Sequence, residues 1–118
     1  MEDRKEKKYR VAIYCRVGNP DNADMALEIQ KSMLREYAAD KGYEVVSEIC
    51  EIASGRSADR DGIREILSLA GRKAMDEVLA VRYSRYSRNM EDILHLKHRF
   101  EKQNIKLNAL MEIPVKTE

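Results

Sequence analysis

Short apolar runs alternate along this chain with stretches of helical spacing, and that alternation restricts the fold more than any other feature. The runs are Arg10-Val-Ala-Ile-Tyr-Cys-Arg16, Tyr43 to Ile49, Val78-Leu-Ala-Val81 and Ile105 to Met111. Each has the length and β-branched or aromatic content of a strand. Between the first two, Met25, Ile29, Met33, Leu34 and Tyr37 step by three and four, which predicts a helix to about Lys41 that stops at Gly42. Further helices are predicted from about Asp61 to Ala70 and from about Met90 to Gln103. Strands alternating with helices predict an α/β fold: a mostly parallel sheet of four to five strands with helices on both faces, in three layers. Gly18-Asn-Pro20-Asp is a turn cluster, residues 53–60 are loop-like, Arg82 to Arg88 form a polar junction, and Pro114 marks the fading edge of the last strand. Residues 1–8 mix both charges without periodicity and read as a disordered tail, leaving 9–118 as a single domain with no linker or repeat.

Composition narrows the function. Lys+Arg 22 against Asp+Glu 21 gives a net charge of +1 in 118 residues. So even a charge excludes a generic DNA coat, which needs a basic stripe. The absence of tryptophan and a single Phe100 argue against a stacking platform for single strands. No apolar run reaches the ~18–20 residues of a membrane span, and the charged opening MEDRKEKKYR is unlike a secretion signal. Two cysteines, Cys15 and Cys50, fit a reducing compartment, so a cytoplasmic location without membrane contact is expected.

Ligand chemistry in parallel sheets gathers outside the carboxyl ends of the strands. In this sequence those ends carry Arg16, Arg56, Arg60, Arg82, Arg85 and Arg88. Guanidinium is planar, permanently charged and bidentate toward phosphate oxygens, which suits phosphoryl transfer, where catalysis is largely positioning plus fixed positive charge. One surface arginine is commonly just solvated; a group at three successive strand ends points to an oxyanion.

These residues also carry a resemblance. Arg10 to Val17 is similar to the opening strand of the serine recombinase (resolvase/invertase) catalytic domain, Ala53-Ser-Gly-Arg-Ser-Ala-Asp-Arg60 to its second signature, and Arg82-Tyr-Ser-Arg-Tyr-Ser-Arg-Asn89 to its third. Leu27 to Gln30 and Gly42 to Val46 fit in order, and the likeness spans roughly residues 9 to 111. The resemblance implies a serine hydroxyl that attacks a DNA phosphodiester to leave a 5′ phosphoserine link, an arginine cluster around the phosphate, oligomers of recombinase subunits, and no metal or other cofactor. It assigns Arg16, Arg60, Arg85 and Arg88 to the phosphate and Tyr14, Gln30, Ser54, Asp59 and Ser84 to supporting or DNA-binding places. Arg56 and Arg82 fall outside the pattern and read as solvated.

The departure is Gly18, which stands where the resemblance places the nucleophile. Glycine has no group to form the phosphoester, and loss of a nucleophilic serine costs on the order of 10⁶ in turnover in a serine protease. A catalytically silent domain that pairs with or modulates recombinase subunits is the leading expectation. One alternative is an active or deliberately trapped recombinase using another hydroxyl, with Ser54, Ser57, Ser84 and Ser87 nearby; another is an unrelated phosphate-binding α/β module, disfavoured by the lack of a Gly-rich phosphate loop. The resemblance also leads one to expect a DNA-binding module that this sequence does not contain, so only weak, non-specific contact with the DNA backbone is expected. Cys15 reads as a core thiol, and Cys50 has no histidine nearby. His95 and His98 read as surface residues, as do Lys97, Arg99 and Lys102, and no metal site is expected. Met25, Met33, Met75, Met90 and Met111 read as core filler or a helix face, Glu91 and Asp92 fit the start of a helix, and Glu51 receives no role beyond a conservative acidic position.

Overall fold

The computed structural model describes residues 8–56 and 59–112; the expected tail (but for Lys8), Ser57 and Pro114 lie outside them. Four strands, β1 (Arg10–Val17), β2 (Glu44–Ile52), β3 (Glu77–Ala80) and β4 (Lys106–Ala109), form one parallel sheet in the order β2-β1-β3-β4. Three helices connect them: α1 (Ala23–Lys41), α2 (Asp61–Gly71) and α3 (Met90–Glu101). Burial on both faces explains why β1 is apolar from Val11 to Cys15, as the middle of a central parallel strand must be. On one face Val11, Ile13, Cys15 and Leu79 pack against Leu34 and Ala38 of α1. On the other, Ala12, Tyr14, Val78 and Ala80 meet Ile63 and Ile66 of α2 and Leu96 and Phe100 of α3. Each of the larger aliphatic and Phe side chains among them contributes about 1.5–3 kcal/mol by leaving water. The expected three-layer α/β fold is present, with four strands.

Several bounds differ from the sequence reading for physical reasons. Strand β2 runs past Ile49 to Ile52 because it stays in register with β1 to its end, where Val17 faces Ile52. The last strand stops at Ala109; Leu110–Glu112 turn as a 3₁₀ segment, with the Met111 N–H donating to the Val81 carbonyl. Helix α1 begins at Ala23 after Asn22, which takes a left-handed φ of 58°. Its buried stripe also differs. At about 100° per residue, Ala23, Leu27, Leu34 and Ala38 share one side, whereas Met25 and Ile29 fall opposite and are 67% and 55% exposed. The core reading therefore fails for Met25, as it does for the exposed Met90 and Met111, while Met75 is buried. Gly42 ends α1 as expected, with φ 75° and its N–H on the carbonyls of Ala38 and Ala39.

Candidate active site

The loops after β1, β2 and β3 meet at the carboxyl edge of the sheet, and Arg16 is what joins them. Its side chain is 1% exposed. Nε donates to the Arg85 carbonyl at 2.8 Å, Nη1 to the Ala53 carbonyl at 2.8 Å and Nη2 to the Ser84 carbonyl at 2.9 Å. This differs from the expectation of a phosphate-facing group: the guanidinium is turned inward and spent on three carbonyl dipoles. Gln30 on α1 clasps the Arg16 backbone from both sides, accepting from its N–H at 3.1 Å and donating to its carbonyl at 3.0 Å. That clasp sets the direction in which the chain leaves β1 toward Gly18.

Arg60, just ahead of α2, is 8% exposed. Nη1 donates to the Ser54 carbonyl at 2.9 Å and Nη2 to the Tyr86 carbonyl, while its Nε stands 3.7 Å from a Glu51 oxygen. Glu51 accepts from the Tyr14 hydroxyl and, at 3.0 Å, from the Gly62 N–H. Sequence reasoning missed this carboxylate; the signal was in the register, since Glu51 lies opposite Arg16, on the same face of the sheet as Tyr14. Tyr14 is buried between Tyr86, stacked at 5.7 Å, and the Arg60 guanidinium at 5.9 Å. Burial and the bond to Glu51 push its hydroxyl far above the ordinary tyrosine range, so it stays a donor.

Arg85 donates from Nη1 to the Arg16 carbonyl at 2.8 Å and is half-buried, and Arg88 remains exposed while its backbone N–H holds the Gly55 carbonyl at 2.8 Å. Burial, then Arg85 and Arg60, pull the Arg16 guanidinium down to about 10; burial, then Arg88, lower Arg85 as well. The cations that lower Arg16 and Arg85 in this way lie close to them, and an oxyanion would relieve the repulsion. Arg16, Arg60 and Arg85 thus meet at one place, through the carbonyls of Ser84, Arg85, Tyr86 and Arg16, and the Arg88 backbone ties the Gly55 loop to the same edge. Ser54, Arg56, Asp59 and Arg60 line an open pocket of about 380 Å³. Asp59 pairs with Arg64 of α2, Ser54 accepts from the Arg56 N–H at 3.1 Å, and Ser84 contributes its carbonyl. Arg56 and Arg82 are exposed, as expected, and so are His95 and His98.

Gly18 lies exposed just past β1, and a Cβ built on it meets nothing within 4 Å. At Gly55 a Cβ would stand 2.8 Å from the Arg16 guanidinium carbon, so the second loop needs glycine to close over Arg16. Of the alternative hydroxyls, Ser87 is fully buried, donates to Asp92 at 3.2 Å and accepts the Asn89 N–H at 2.9 Å, which removes it from any nucleophilic role.

The class of protein is thus an α/β domain with a parallel sheet whose carboxyl edge gathers arginines. The family model described as "Resolvase, N terminal domain" matches residues 11–118, and the chain belongs to that family. Among solved structures it is similar to the C-terminal catalytic domain of ISC1926 TnpA, an IS607-like serine recombinase, at 31% identity and a TM-score of 0.79 over 86% of this chain and 70% of that one. It is equally similar to the N-terminal catalytic domain of TP901-1 integrase, at 30% identity and a TM-score of 0.79, covering 87% and 78%. A resolvase family site-specific recombinase from Streptococcus pneumoniae matches at 26% identity and a TM-score of 0.74, covering 87% and 72%. The domain is therefore a resolvase-like catalytic domain of the serine recombinase class, and an unrelated phosphate-binding module is set aside.

Proposed function

We propose that this domain holds a DNA phosphodiester without cutting it. The observation that carries the reading is Gly18: the residue that follows the Arg16-Val17 pair, exposed just past β1, has no hydroxyl. Arg85 and Arg88 supply donors to the phosphate, Arg16 and Arg60 fix the loops that present them, and Tyr14, Gln30 and Glu51 position those two in turn. Ser54 and Asp59 border the adjoining pocket. Such a subunit occupies a place in an assembly of recombinase-like chains, its own copies or active ones, and leaves its strand intact.

Strand cleavage by this class leaves a covalent protein–DNA link, so the decisive experiment looks for it. Incubation with supercoiled plasmid and with duplex oligonucleotides, followed by denaturing electrophoresis, is expected to yield no adduct and no relaxed or recombined product. An adduct at any residue overturns the proposal. Binding is expected to be weak, with log K falling against log salt at a slope of about −2, as two phosphate contacts dictate. Tight sequence-selective binding by this chain contradicts it equally.

A further inference from the structure

Cys15 and Cys50 face each other across β1 and β2 as Cα partners in the parallel register. Cys15 belongs to the α1 face of the sheet, together with Val11 and Ile13. Cys50 shares that face, because Glu48, two residues before it, reaches Arg35 of α1 at 2.6–2.7 Å. Adjacent strands run about 4.7–4.9 Å apart, inside the Cα separation of about 4.4–6.8 Å that a disulfide spans. The two thiols nonetheless differ in access: Cys15 is fully buried, Cys50 is exposed, and both are free.

We propose that Cys15 and Cys50 form a dithiol site that low-molecular-weight disulfides convert into an interstrand disulfide. The exposed Cys50, as its thiolate, attacks one sulfur of the reagent; the new S–S bond forms as the other sulfur leaves with the electron pair and takes up the proton. Cys15 then gives its proton to solvent and attacks the Cys50 sulfur, expelling the second reagent thiolate. Two protein thiols are oxidised by two electrons, and one external disulfide is reduced to two thiols. Burial of Cys15 makes this order obligatory, since a reagent reaches it only through Cys50; burial also raises the Cys15 thiol well above its ordinary range, so proximity rather than acidity drives the second step. Each cysteine immediately precedes a residue of the arginine floor, Arg16 and Glu51, so the bridge fastens β2 to β1 at its base. The inference stands whether or not the domain binds DNA.

The test is reaction of the folded, reduced chain with 5,5′-dithiobis(2-nitrobenzoate). Two thionitrobenzoate anions per chain are expected, the second released at a rate independent of reagent concentration, and the product is lighter by two hydrogens with no adduct. Cys15→Ala is expected to release one anion and keep a mixed disulfide on Cys50. Cys50→Ala, a surface change that leaves the core intact, is expected to release none until denatured. If Cys15→Ala does not fold, the wild-type stoichiometry and the Cys50→Ala control decide the question. A wild-type chain that stops at one release with a stable adduct, one that links to a second chain, or a Cys50→Ala variant that reacts while folded overturns the proposal.

Discussion

Arg16 and Arg88 carry the same guanidinium into opposite settings, and substitution separates them. Replacing Arg16 by alanine takes a donor from the partly buried carbonyls of Ala53, Ser84 and Arg85 and opens a void, which costs about 3 kcal/mol. Urea denaturation should show that loss as a lower midpoint at unchanged slope. Arg88→Ala removes an exposed group and is expected to change stability by no more than about 0.5 kcal/mol. The same variant should reduce the magnitude of the salt slope of DNA binding by about 1, which isothermal titration across salt concentrations measures. Gly18→Ser meets open space, so its melting curve should overlay that of the wild type; a large drop would mean that the backbone there does need glycine.

Elements depend on these contacts at their ends. Asn89 caps α3 by accepting the Glu91 N–H at 2.9 Å, and Asn89→Ala is expected to cost about 1 kcal/mol in a thermal melt. Gly55→Ala drives a methyl against the Arg16 guanidinium, so a loss of about 1–3 kcal/mol is expected although the loop lies on the surface of the sheet edge. The succession of strands and helices along the chain was legible because a strand buried on both faces reads as a short apolar run, as in Val11 to Cys15. Two things were not. The inward stripe of α1 depends on phase, and Met25 and Ile29 satisfy helical spacing equally well on the solvent side. The use of Glu51 depends on the pairing of β2 with β1, which spacing within one segment does not reveal, just as the inward turn of Arg16 depends on carbonyls from two distant loops.

For the whole molecule, alkali is the informative stress. Tyr9, Tyr14 and Tyr86 are all held above the ordinary phenol value, first by burial. The unfolded chain sheds those protons near pH 10 and the folded one does not, so their contribution is intact below pH 10 and is lost as pH rises above it. The Arg16 guanidinium, lowered by burial and by Arg85 and Arg60, biases the balance the other way, but a guanidinium gives up its proton far less readily than a phenol. Three phenols outweigh one guanidinium, so unfolding is expected to set in above pH 10, with tyrosinate absorbance and far-ultraviolet circular dichroism changing together. Phenols that ionise ahead of the backbone transition would contradict this. The inward Arg16 also bears on what its motif means. A residue whose removal frees three carbonyls in two loops is needed for folding alone, so finding it in a motif says nothing about whether a strand is broken.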